Sequence, residues 1–142
     1  MKVASILENQ NIEKRIAITP EIAKKYISIG IEVCLCENYA SHLGLNDEEY
    51  AKLGVSILKD EKEIISNADV IVQLGLFDDN KSSLLKENQT FVGVLNPYDN
   101  KDKIEYLIKK KINIFALELL PRITRAQSMD ILSSQANLAG YK

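Results

Sequence analysis

An α/β domain with an open parallel sheet and helices on both faces is what this chain predicts, and three features carry that expectation. Short apolar runs alternate with helical segments about ten residues long, the rhythm of successive β-α-β units. Two helix-glycine-strand units follow one another, closed by Gly30 and Gly54. The later runs DVIVQL and TFVGVL are almost continuously apolar, as strands covered on both faces must be.

In order, residues 2–7 (KVASIL) predict the first strand, and the loop ENQNIEKRIAITP leads to a helix opening at Thr19-Pro20. Thr as N-cap with Pro at the first helical position is a strong start signal, because proline has no N–H to leave unpaired there. The helix EIAKKYISI sets Ile22, Tyr26 and Ile29 on one face before Gly30 stops it. IEVCLCE then predicts a strand. Residues 46–54 form a short helix closed by Gly54, with a strand over 55–58. Residues 60–68 predict a helix with acidic residues in its first turn, and 69–74 a buried strand. After the loop LFDDN come a weak helix (KSSLLKE), a strand over 90–95, the turn NPYDN, a helix over 102–111 and a last strand over 112–119. Pro121, which cannot donate to a ladder, ends it.

At 142 residues the chain fits one domain, and 46% hydrophobic with 27% charged residues is the balance of a soluble globular protein. A net charge of −2 leaves no basic footprint for nucleic acid. No window reaches the roughly 18 apolar residues of a membrane span, and no signal-peptide core follows Met1, so direct membrane insertion is not expected and a cytoplasmic location is. Cys34 and Cys36 share one strand face and read as small buried hydrophobes. His42 reads as a surface loop residue and Asp78-Asp79 as a solvated turn; neither begins a nucleophilic triad or a metal site. The six glycines make neither G-x-G-x-x-G nor a P-loop. The fold is therefore Rossmann- or flavodoxin-like without a glycine-rich dinucleotide fingerprint.

The chemistry concentrates after the last strand. Arg122, Arg125, Gln127, Ser128, Asp130, Ser133 and Ser134 follow it in a polar loop and helix, at the end of a strand, where open α/β sheets bind ligands. A structural reading is open as well: Thr124 with Gln127 fits a capping box, and Asp130 suits a first helical turn. On spacing alone that reading carries more weight.

The run RITRAQSMDILSSQANLAGY resembles a signature of the alpha subunit, the NAD-binding component, of proton-translocating NAD(P) transhydrogenases. EKRIAITPEIAKKYISIGIEV resembles the opening segment of the wider family those subunits share with alanine dehydrogenases, and ADVIVQL and TFVGVLNP occur in the expected order. The resemblance implies that residues 1–142 are an N-terminal domain whose companion NAD-binding Rossmann domain is absent from this sequence. It implies NAD(H) as cofactor, NADP(H) on a partner domain and no metal. The implied partners are the missing NAD-binding domain or chain, the NADP-binding and membrane subunit, and a second copy in a homodimer. Location would be cytoplasmic, peripheral to the inner membrane through those partners.

By the same resemblance, Arg122 contacts the carboxamide oxygen of the nicotinamide, Asp130 its NH2, Gln127 bridges toward the second nucleotide, and Ser133 steadies the ring. A guanidinium, an amide and a carboxylate are chemically suited to fix both ends of a carboxamide. Arg125 is read as structural. An alanine dehydrogenase-like domain is disfavoured: Arg15 matches the early arginine of that reaction, but Gln73, Gly75 and Asn96 stand where protonatable groups would be wanted. A stand-alone interaction or regulatory domain of the same fold is the remaining alternative.

Overall fold

The computed structural model describes residues 1–117. Six parallel strands, β1 (Lys2–Ser5), β2 (Glu32–Cys36), β3 (Ser56–Leu58), β4 (Val70–Val72), β5 (Thr90–Gly93) and β6 (Asn113–Ala116), form one sheet in the order β3-β2-β1-β4-β5-β6. Five helices connect them: α1 (Pro20–Ser28), α2 (Asp47–Ala51), α3 (Glu61–Asn67), α4 (Asp79–Ser82) and α5 (Lys101–Lys109). Right-handed crossovers over this order put α1 and α2 on one face and α3, α4 and α5 on the other. Accordingly α1 packs on β2, α2 on β3, and α3 lies across β1, β2 and β3. The chain winds outward from β1 in one direction and, after α3, outward from β4 in the other. A crevice therefore opens beyond the C-terminal ends of β1 and β4, where this topology binds its ligands.

The helices begin where the sequence says they should. Thr19 accepts from the Ile22 N–H with Pro20 at the first helical position, Asn46 and Glu49 form a capping box, and Asp60 accepts from the Lys62 N–H. Gly30 and Gly54 end their units at φ +88° and +99°, a region that costs a side-chain-bearing residue strain. Cys34 and Cys36 are buried free thiols on the same face of β2, as expected. Burial pushes both thiols up, Cys36 to about 11, and Glu63 and Glu61 on α3 add to the shift. Neither is an activated nucleophile.

Three expectations are corrected. Ile29 does not pack on the core but is 72% exposed, because α1 ends at Ser28 and the chain turns away at Ile29 and Gly30; Ala23 is the buried residue of that helix and Ile27 packs beside it. The weak helix expected over KSSLLKE starts earlier and is shorter, since the Asp78 carboxylate accepts from Lys81 N–H and nucleates it at Asp79. That makes Asp78 a helix cap, not part of a solvated turn. A 3-10 turn at Ser41–Leu43, closed by Gly44, was not foreseen.

Gly93 shows how closely β5 approaches β4. A Cβ built there would collide with the backbone oxygen of Gln73, a main-chain atom that cannot give way. We expect Gly93→Ala to destabilise the fold by at least about 3 kcal/mol. Gly44→Ala, also strained in φ but in open space, should cost only about 1–2 kcal/mol. Urea denaturation of the two variants tests the difference, and equal costs would refute the close-approach argument.

Candidate functional site

The crevice between β1 and β4 is built around one side chain, Gln73, which is 2% exposed. The β1-β4 register pairs Val3 with Val70 and Ala4 with Ile71, and continued at the same offset it sets Ile6 opposite Gln73. There the side-chain amide replaces the ladder. The Ile6 N–H donates to Gln73 Oε1 at 2.7 Å, and Gln73 Nε2 donates to the Ile6 carbonyl at 3.2 Å. Ser5 Oγ donates to the same Oε1 at 2.8 Å, and Nε2 also donates to Glu8 Oε1 at 3.1 Å. All four hydrogen-bonding positions of the amide are thus used inside the fold.

Tyr39 extends the network. Because Ser5 gives its proton to Gln73, its 2.9 Å contact with Tyr39 is one in which the phenol donates. The phenol oxygen in turn accepts from the Ala17 and Ile18 N–H groups, each at 3.1 Å. Tyr50 donates to the Ile18 carbonyl at 2.8 Å, and the two rings meet edge to face at 6.1 Å. Two tyrosines that follow β2 therefore hold both polar groups of Ile18 at the end of the long β1-α1 loop. Burial pushes Tyr39 up to about 12, and hydrogen bonds from Ser5 and the Ile18 and Ala17 amides partly oppose that shift.

This loop, residues 6–19, lies where a short glycine-rich turn would cradle a pyrophosphate. It has no glycine, and Thr19 and Pro20 already occupy the first turn of α1. His42 pins it from outside, with Nε2 on the Lys14 carbonyl at 2.8 Å and Nδ1 at 3.1 Å from Gln10 Nε2. His42 is exposed, as expected, but tied to the loop. Arg15 pairs with Glu13 at 2.7 Å on the same loop and does not reach into the crevice. Among the described residues nothing in this region offers a phosphate seat.

Glu8 borders a cleft of about 200 Å3 that Gln73, Asp78, Lys81 and Lys103 also line. Its carboxylate accepts from Gln73 and from the backbone N–H groups of Leu74 and Gly75. Burial raises its pKa above the ordinary value, the two backbone amides oppose the shift, and Glu13 adds to it. Asn96, in a left-handed turn at φ 45°, accepts from the Asp99 and Asn100 N–H groups.

Arg122, Gln127, Asp130 and Ser133, the residues expected to grip the nicotinamide, lie outside the described residues, as does Arg125. The structure does bring together Ser5, Glu8, Tyr39 and Gln73, of which sequence reading singled out only Gln73, and that as an absence. A glutamine closing an otherwise apolar strand was the available signal. No group of three or more potential metal ligands occurs among the described residues, and no helix there is long and apolar enough to cross a membrane.

Residues 6–139 match the family model described as "Alanine dehydrogenase/PNT, N-terminal domain". An NAD(P) transhydrogenase subunit alpha of Rickettsia prowazekii is 42% identical over the whole of this chain, which spans 38% of that relative's length. A crystal structure of transhydrogenase from Sinorhizobium meliloti superposes with a TM-score of 0.91 at 35% identity, over 99% of this chain and 42% of that one. An alanine dehydrogenase of Methanococcus maripaludis is more distant, 28% identical over 94% of this chain and 35% of its own length.

Removing the Tyr39 hydroxyl leaves the Ala17 and Ile18 N–H groups without their acceptor in a buried place. Tyr39→Phe should therefore cost about 2–4 kcal/mol in chemical denaturation. A cost under about 1 kcal/mol would mean that water replaces the phenol. The phenol also sets an alkaline limit: between its ordinary value near 10 and its folded value of about 12 the unfolded chain loses the proton first. Wild-type stability should fall as pH rises through that window, and Tyr39→Phe should lose Tyr39's share of the decline.

Proposed function

The chain belongs to the alanine dehydrogenase/PNT N-terminal domain family, and on that premise we propose that it serves as the N-terminal domain of an NAD(P) transhydrogenase alpha subunit. In this reading it takes part in hydride transfer between NAD(H) and NADP(H), coupled to proton translocation, as one piece of a larger assembly. The other pieces are a domain that holds the NAD(H) phosphates and an NADP-binding membrane partner, with a second copy completing a homodimer. The chain works on the cytoplasmic side, at the inner membrane through those partners.

The observation that carries the proposal is the content of the switch-point crevice. A dehydrogenase acting on an amino acid must move protons on an amine, and wants acids and bases free to do so. Here Gln73 has both ends of its amide committed, Tyr39 holds its proton to about 12, and Asn96 shapes a turn. Direct transfer between two nicotinamides needs none of these groups. What it needs is ring placement, because a displacement of about 1 Å can cost on the order of 100-fold in rate. Glu8 is the one feature that favours the alanine dehydrogenase-like alternative, being a carboxyl in the cleft with a raised pKa. Its bonds to Gln73, Leu74 and Gly75 weigh against a role as free base.

Ring placement falls to Arg122, Gln127 and Asp130, with Ser133 beside them, in the roles given above. Chain length is consistent with this. Strand β6 ends at Ala116, on the same edge of the sheet as the crevice. Six residues of extended chain reach about 20 Å, and the crevice lies about 12 Å away at ordinary strand spacing. Asp130→Asn, in an assembly reconstituted with the NAD- and NADP-binding partners, should lower the hydride-transfer rate at least about tenfold while changing NADH affinity little. An unchanged rate would favour a non-catalytic interaction or regulatory domain.

The phosphate-holding half is assigned to another domain, so the 142 residues alone should bind NADH only weakly. Titration calorimetry giving a Kd below about 1 μM would overturn that division of labour.

A further inference from the structure

We propose that Glu8 is an internal ligand that closes the switch-point crevice to small carboxylic acids, and so acts as a specificity-determining residue. The inference rests on the reading above, in which no small organic acid takes part in the reaction. Leu74 and Gly75, immediately after β4, present consecutive backbone N–H groups to one carboxylate, the arrangement that makes a small anion site at a strand end. Gln73 Nε2 donates to that carboxylate from the floor of the cleft, and Lys81 and Lys103 stand in its wall, Lys81 also pairing with Glu61 at 3.6 Å. These donors would receive the carboxylate of a 2-oxo acid if the seat were empty.

In this fold they receive Glu8. The residue comes from the first turns of the β1-α1 loop, and the Gln73-Ile6 pairing two residues earlier fixes where it points. A substrate carboxylate meets two obstacles, an occupied set of N–H groups and a like charge within a few ångströms. Gln73 makes the barrier more than local, because the side chain that orders the β1-β4 junction is also the one that holds Glu8 in place. A fold shared with amino-acid dehydrogenases is thereby withheld from their substrates without losing its crevice, which stays available to a ring carried by another domain.

The test uses the 15N-labelled chain and pyruvate as probe, followed through the amide resonances of Leu74 and Gly75. In the wild type these should not respond to pyruvate. In Glu8→Ala they should shift saturably, with affinity at least about tenfold above any wild-type response. Glu8→Gln, whose amide oxygen keeps the seat filled without the charge, should stay closed. Glu8→Ser, which clears the carboxylate but leaves a hydroxyl for Gln73, serves the same arm if the alanine variant does not fold. Wild-type binding equal to that of the emptied variant, a folded emptied variant that takes no pyruvate, or a Glu8→Gln variant as open as Glu8→Ala would each overturn the proposal. Because the measurement needs no dinucleotide and no partner, its failure is distinguishable from a failure of the hydride-transfer reading.

Discussion

The structure depends on a buried amide that stands in for a strand. Parallel ladders between β1 and β4 run only as far as the two backbones stay close, and here the chains part just where a ligand crevice must open. Gln73 spans the gap by pairing with both polar groups of Ile6, so β1 is held in register past its last ladder bond. Each bond adds only about 1 kcal/mol net, yet a buried amide missing some of them would cost more than all contribute. That asymmetry makes the network all-or-none: Ser5, Tyr39 and Glu8 are each required to satisfy a neighbour.

From this junction the placement of the loops follows. Tyr39 and Tyr50 secure Ile18, which delivers the chain to Thr19 and the start of α1; His42 holds the middle of the same loop. A long glycine-free β1-α1 loop thus has a defined path without backbone acrobatics. In a domain that binds a dinucleotide by itself, the equivalent turn is short and its amides face a pyrophosphate. Here the amides face tyrosine, and the nearest strand-end N–H groups face Glu8. The same topology therefore supplies a shaped crevice but no phosphate seat, which fits a domain that meets its coenzyme on another domain's support.

Much of the fold was legible in the chain because the signals are local. Thr19-Pro20, Asp60 and the left-handed glycines Gly30 and Gly54 mark boundaries through single backbone requirements, and apolar runs mark strands covered on both faces. Where expectation and structure part, a local pattern met a longer-range demand. Ile29 has helical spacing but falls one residue past the end of α1, and Asp78 starts α4 by capping it. Glu8 and Tyr39 left no mark at all. Their importance lies in partners distant along the chain, and a lone Glu or Tyr in a polar segment looks like any other.

By itself, then, the sequence determined the class of fold, the parallel sense of its strands, the lack of a phosphate-binding turn and a resemblance that identifies the family. Those follow from periodicity, turn chemistry and motif, which are properties of neighbours along the chain. Tertiary structure alone decided that the sheet reverses between β1 and β4, that Gln73 is the junction there, and that Glu8 fills the strand-end amides beside it. The reason is physical: a hydrogen bond is a relation between two groups, and at a crevice formed by strands about 67 residues apart both members are visible only once the chain has folded.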